Sequence, residues 1–223
     1  MKNKLNELVE ELKTVIKGKT LDAILPLLMY TIIQSFTSLN VAIILTLITA
    51  MILGIVRALL KHVWTYALFG FLSVLVASSF AFYAQNASDF FLPGLIGSSA
   101  LLILTLLTVI LNRPLAAFAS HITRGFPLSW YWHPMIKPAY REVTYLWTIY
   151  LLLRFLVQGY AFLQDNVVRL TWLNIVTGFP LTIVVLMMSY IYGIWRLNRL
   201  RGPSVEEFLN DAQPPFSGQK RGF

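Results

Sequence analysis

SDFFLPGLIGSSALLILTLLTVIL, residues 88–111, decides how this chain is read. From Phe90 to Leu111 it carries no charged side chain. A helix of about 20 mostly apolar residues is long enough to cross a bilayer. Asp89 stands at the start of the run and Pro93 falls in its first turn. An Asp at a helix start caps free N–H groups, and Pro is tolerated there because its missing donor has no partner in the first turn. Gly94 and Gly97, followed by Ser98, predict a face that lets a neighbouring helix approach closely. Residues 22–26, DAILP, repeat the Asp-x-x-Leu-Pro pattern, so Asp22 and Pro26 are read as a second helix start of the same kind.

Composition widens the reading to the whole chain. Of the 223 residues, 57% are hydrophobic and only 13% are charged, with a mean hydropathy of +0.67. A soluble domain is about 45–50% apolar and about 25% charged. The deficit of charge is the more telling of the two, because a soluble surface needs it. The net charge of +8 does not point to nucleic acid, since no solvated domain is left to carry a basic patch. With no cysteine in the chain, disulfides, thiol catalysis and cysteine-ligated metal are excluded.

Six segments fit a spanning helix: Leu21 to Thr37, Leu39 to Leu60, Val63 to Gln85, Phe90 to Leu111, Val143 to Leu163, and Trp172 to Trp195. The first is the weakest, being short and containing Gln34 and Ser35. The basic residues count in its favour. If all six cross, 16 of the 18 Lys and Arg fall on one side; Arg169 is opposite and Arg154 lies within a span. Dropping the first span puts Arg57 and Lys61 across the membrane from the N-terminal lysines. The positive-inside rule therefore predicts an all-α integral membrane bundle of six helices with both termini cytoplasmic. Its domain plan is residues 1–20, residues 21–197 for the membrane domain, and a tail over 198–223.

The first twenty residues mix five lysines with Glu7, Glu10 and Glu11 and are read as retained, not as a cleaved signal. Leu5, Leu8, Val9, Leu12, Val15 and Ile16 share one helical face, which predicts a cytoplasmic amphipathic helix. It lies at the lipid headgroups or docks a partner. The connection from Asn112 to Glu142 begins as a short amphipathic helix ended by Gly125. Its Trp130, Trp132 and Tyr140, with Trp147 beyond, are read as interfacial anchors. Ser204-Val-Glu-Glu207 predicts a capping box, and QPPFSGQKRGF after it reads as disordered.

Within the spans, Arg154 stands out. A central Arg costs about 2.5–3.5 kcal/mol to insert, so it should face the bundle and find a partner. Gln158 lies one turn away, and Gln34 is the other strongly polar side chain deep in a span. The three form a candidate polar site, with Arg154 paired structurally, snorkelling, or holding an anionic lipid or small anion. His121 and His133 lack companions at ligand spacing, so no metal or cofactor is expected. Zinc-protease, phosphate-loop and serine-elbow motifs are absent, and no catalytic residue is assigned.

Several segments carry a resemblance: Asp89-Phe-Phe-Leu-Pro-Gly94, Asn112-Arg-Pro-Leu115, Tyr140-Arg-Glu-Val-Thr-Tyr-Leu-Trp147, Arg154-Phe-Leu-Val-Gln158 and Gly178-Phe-Pro-Leu181. Together they resemble a family of bacterial polytopic membrane proteins known only as a domain of unknown function. More distantly, the basic-Pro-Leu step and Trp172-Leu-Asn174 are similar to intracellular septation protein A. What this resemblance implies is a bacterial inner-membrane protein, non-enzymatic and related to the envelope or septation. Its partners would be the bilayer and either an envelope protein or a second copy, with no nucleic acid. The alternative is a small transporter or channel. The two Asp-x-x-Leu-Pro copies open spans one and four, three crossings apart, which suits inverted three-helix repeats and an anion at Arg154.

Overall fold

The computed structural model describes residues 19–59, 64–219 and 223, with side chains described except at 19–24, 57–59 and 64–67. Its helices are α1 (Lys19–Phe36), α2 (Leu39–Leu59), α3 (Trp64–Ala84), a 3-10 turn (Ala87–Phe91) running into α4 (Leu92–Ile110), α5 (Leu115–Arg124), the single turn α6 (Leu128–Tyr131), α7 (Lys137–Leu163), α8 (Val167–Thr177), α9 (Phe179–Leu200) and α10 (Val205–Leu209). No strand occurs among the described residues. Four stretches are long and apolar enough to cross a membrane: Leu39–Val56, Ala87–Ile110, Lys137–Leu163 and Val167–Leu200. The helices α1 and α3 stand where the other two spans were expected, and their described apolar parts, Leu25–Phe36 and Leu68–Ala84, are shorter.

The distribution of side chains on α4 fixes the medium. Its buried residues are Ser98, Leu102, Thr105 and Thr108, whereas Ile96, Ile103, Leu104, Leu107 and Ile110 are exposed. A soluble helix does the reverse, turning its apolar stripe to the core and its polar face outward. On α7, Ile149, Leu152, Leu153 and Leu156 are exposed while Thr144 and Gln158 are buried. Hydrocarbon makes both arrangements stable, because apolar surface costs nothing there and hydroxyls need protein partners. The chain is a membrane protein.

By backbone proximity the chain forms two units, Met1–Leu95 with Gln158–Phe179, and Ile96–Val157 with Pro180–Phe223. The first gathers Tyr30 of α1, Ala42 and Ile43 of α2, Ala77 and Ala81 of α3, Phe90 and Phe91, Ala161, and Val167 and Leu170 of α8. Small residues at four of these positions let helix axes draw close. Tyr30 is the centre: its ring stacks on Phe90 at 3.9 Å, meets Phe91 edge-on at 6.3 Å, and its hydroxyl donates to the Ala87 carbonyl at 2.8 Å. The two phenylalanines of SDFFLPG are thus a clamp on α1. The Thr31 and Thr171 hydroxyls add a hydrogen bond between α1 and α8.

The second unit has an aromatic core of Trp130, Tyr131, Ile136, Ala139, Tyr140 and Leu197. A smaller apolar cluster joins Leu102, Tyr150, Leu151 and Val185. The connection after α4 and the segment after α9 meet in the aromatic core. The Trp130 indole N–H donates to the Pro203 carbonyl at 3.0 Å, and the Tyr131 hydroxyl to Ser120 at 3.0 Å.

Several expectations change. Trp130 and Tyr140 are 0% exposed, so they are core residues and not interfacial anchors; Trp132 and Trp147 are half-buried. Pro26 is buried and lies inside α1, not in a first turn, because that helix is already formed at Lys19. Lacking an N–H, it leaves the carbonyl of residue 22 without its usual partner, which membrane helices tolerate. Asn86, not Asp89, caps the turn that opens α4, accepting from the Ser88 N–H at 2.9 Å; Pro93 does fall in the first turn of α4. Gly94 and Gly97 are exposed, with nothing within 4 Å of a Cβ at either, while Ser98 beside them is buried. Gly125 ends α5 as expected, at φ 72°, a backbone state glycine enters without steric cost. The capping box at Ser204 is formed, and the tail through Gln219 folds back onto α10 instead of being disordered. The amphipathic segment before Lys19, the Asp22 side chain, Arg57 and Lys61 lie outside the described side chains.

The clamp on Tyr30 yields a test. A double-mutant cycle with Tyr30→Leu and Phe90→Leu, read by equilibrium unfolding in mixed micelles, is expected to give a coupling of about 0.5–1.5 kcal/mol. Additive effects would mean that the stack contributes only burial.

Candidate functional site

The most distinctive space in the second unit is a chamber of about 350 Å3 between α4, α5, α7 and α9. Leu101, Leu151 and Leu186 line it towards the apolar cluster, and Trp147, Ala116, Ala119, Ser120, Thr144, Ser189 and Phe223 complete much of the wall. Its volume falls within the roughly 300–1,000 Å3 usual for small-molecule sites. Most hydroxyls in the wall donate to their own helices. Thr105 donates to the Leu102 carbonyl at 2.8 Å, Thr123 to Ala119 at 2.9 Å, Thr144 to Tyr140 at 2.8 Å and Ser189 to Leu186 at 2.8 Å. Ser120 is taken by Tyr131. A wall of this kind is chemically apolar although its sequence is partly polar.

Below the aromatic core the charge is organised. Glu142 near the start of α7 accepts from Arg196 Nε at 2.7 Å and Nη2 at 2.8 Å, and from the Tyr192 hydroxyl at 2.7 Å. Tyr192 and Arg196 are one turn apart on α9, so one carboxylate ties two successive turns to α7. Both charged side chains remain 26% exposed, which limits the pair to a modest share of stability. Its two-pronged geometry sets register between the helices more than it adds energy. The sequence reading missed this clamp. Its signal was there: Glu142 is the only acid between Asp89 and Asp165, and it sits beside Lys137 and Arg141.

The three residues expected to form a polar site take separate places. Gln158, 2% exposed, belongs to the first unit and donates from Nε2 to Thr177 at 3.0 Å and to Asn174 at 3.4 Å. Gln34 is half-buried and lines an open recess of about 650 Å3 with Gln85, Asn86, Gln164, Asp165 and Asn166. Across that recess the Asn86 amide donates to Asp165 at 2.8 Å. The short connections after α3 and α7, together with the end of α1, therefore share one side of the first unit. Arg154 belongs to the second unit; it is half-buried, and its Nε is buried without a hydrogen-bond partner. Asn174, which the reading passed over, is the polar residue that holds Gln158. Among the described residues, no three His, Asp or Glu converge as metal ligands.

A family model described as "Protein of unknown function (DUF3159)" matches residues 17–198. The chain belongs to the DUF3159 family. No curated protein and no solved structure matches it. The DUF3159 match spans α1 to α9 almost entirely and stops before α10, so the tail that covers the aromatic core lies outside it.

That tail is held by one carboxylate. Glu207 accepts from the Ser204 N–H at 2.7 Å and the Ser217 N–H at 2.7 Å. These bonds, the Ser204 one foremost, hold its carboxyl at about 2, below the ordinary 4.5. A depressed carboxyl contributes its stabilisation in full above pH 4.5 and loses it as pH falls through about 2. Amide exchange at Ser217, corrected for intrinsic rate, is therefore expected to stay protected on acidification past the ordinary carboxylate range and to open only near pH 2. Glu207→Gln should release Ser217 at neutral pH.

Proposed function

We propose that this DUF3159 protein is a six-span component of the bacterial cytoplasmic membrane, with both termini inside, that acts in envelope organisation or septation without covalent chemistry. One observation carries the reading: the connection after α4 and the segment after α9 are built into a single aromatic core, with Trp130 tied to Pro203 at 3.0 Å. A connection that only joins two spans does not need a core of its own. One that does presents a fixed surface, which is what a scaffold offers to a partner, whether an envelope protein or a second copy. Arg113, Arg124, Arg141, Arg199 and Arg201 fall in or beside these segments of the sequence, the kind of basic excess that the positive-inside rule associates with a cytoplasmic face. The recess shared by Gln34, Asn86 and Asp165 supports the same topology, since three connections on one side require an even alternation of spans.

A second reading, a small transporter, draws on Arg154. A buried guanidinium nitrogen without a partner suits an anion or a lipid phosphate. Its inverted-repeat form has less support: Pro26 lies inside α1 while Pro93 opens α4, so the two motif copies differ in local structure.

Because the chain has no cysteine, single substitutions report topology without background. Ser38→Cys should react with a membrane-impermeant maleimide in intact cells, and Ser129→Cys only after permeabilisation; both positions are exposed. Labelling of Ser129→Cys in intact cells would overturn the topology. For function, proteoliposomes of the wild type and Arg154→Ala should show equal, background anion flux. Flux in the wild type that Arg154→Ala abolishes would replace the scaffold with the transporter.

A further inference from the structure

The open recess of the first unit gathers polar side chains that keep part of their hydrogen-bonding capacity free. It is built from the end of α1, the turns after α3 and α7, and the start of α8. Gln85 donates its amide to the Phe82 carbonyl at 2.6 Å, which leaves its Oε1 open. Gln164 accepts from the Arg169 guanidinium and Asn166 from the Arg169 N–H at 2.9 Å, so both side-chain NH2 groups stay open. Asp165 takes the Asn86 amide on Oδ1 and keeps Oδ2. Gln34 makes no hydrogen bond among the described residues and offers both of its ends. The wall thus presents open donors on Gln34, Gln164 and Asn166 beside open acceptors on Gln34, Gln85 and Asp165. Gln85, Gln164 and Asn166 are each anchored at one pole, which lowers the cost of ordering the other on a guest. Val168, 49% exposed, adds apolar surface between them.

We infer that this recess binds a neutral saccharide, whose hydroxyls bridge the open donors and acceptors while its C–H face rests on Val168. The donor set decides the class. A hydroxyl both donates and accepts, which matches a wall that offers both. A calcium ion takes about six to eight oxygen ligands, and Asp165 is the single carboxylate in the wall among the described residues. An anionic guest, a uronate included, meets the Asp165 charge, and Asp89 adds to it, since the two carboxylates act on each other electrostatically. The volume of about 650 Å3 lies within the roughly 300–1,000 Å3 usual for small-molecule sites. Where the saccharide comes from rests on the topology proposed above, which turns this face outward; the binding itself does not.

The full chain in phosphatidylglycerol nanodiscs, both faces open to solvent, is titrated with N,N′-diacetylchitobiose and followed by saturation-transfer NMR of the sugar protons. Wild type should show saturable transfer. Gln34→Leu, which breaks no described hydrogen bond, should weaken the apparent Kd by about tenfold, the scale of one lost polar contact. Asp165→Asn keeps an acceptor for Asn86 and tolerates the backbone at φ 50°, so it should admit glucuronate, which wild type rejects. Discs that carry a glucosyl diacylglycerol separate the sources. Competition with the disaccharide assigns the site to a glycolipid headgroup, and undisturbed binding assigns it to a free or polymeric saccharide. No saturable transfer in wild type, or an unchanged Kd in Gln34→Leu, would overturn the site. Glucuronate bound by wild type as tightly as the disaccharide would overturn the neutral class. Maleimide labelling of Ser38→Cys reports the topology separately, so failure of the site and failure of that reading are told apart.

Discussion

A hydroxyl in hydrocarbon needs an acceptor, and many of the hydroxyls in this protein find one on their own helix. Thr31 donates to Leu27, Ser35 to Thr31, Thr49 to Leu45, Ser73 to Phe69, Ser79 to Leu75 and Thr148 to Thr144. Each bond takes up the hydroxyl proton inside one turn, so apart from Thr31, which also meets Thr171, the residue packs as a small apolar one. Helices α1 to α3 draw together over alanines, while the buried hydroxyls of Thr46 on α2 and Ser78 on α3 have no hydrogen-bond partner among the described residues. Polar residues in these helices are hence a poor guide to polar sites.

Gln158 differs, because its amide carries two donors and reaches across to a neighbouring helix. Its partners come from the end of α8, where the helix stops at Gly178 and restarts before Pro180. A Cβ at Gly178 would run into the Asn174 carbonyl, so the break needs glycine there. Asn174 and Thr177 meanwhile return bonds to Leu170 and Leu173. The interruption and the amide belong together: the broken helix turns side chains towards Gln158 that also satisfy its own last turn.

Much of this fold was legible because it follows from one-dimensional signals. The long apolar helices come from apolar run length, the end of α5 from Gly125, and the start of α10 from Ser204 and Glu207. What the reading misjudged depends on partners distant in sequence. Trp130 looks like an anchor until Pro203, 73 residues later, closes over it. Asp89 looks like a cap until Asn86 is seen to take that role, and Glu142 went unread because its partner Arg196 lies 54 residues on. Of the candidate polar site, the individual residues were identified but not their assignment to different neighbours. Arg154, Gln158 and Gln34 share polarity, and polarity alone carries no address.

The 73-residue span between Trp130 and its carbonyl partner also sets an order of events. During synthesis the rings of Trp130, Tyr131 and Tyr140 emerge well before Leu197, Pro203 and Phe208 exist to cover them. Contacts of such separation form late, after the cost of closing a long loop has been met. Until α9 and α10 are made, the nascent protein shows an uncovered aromatic surface that they then close over. Covering of that surface thus waits on residues made well after the rings it covers.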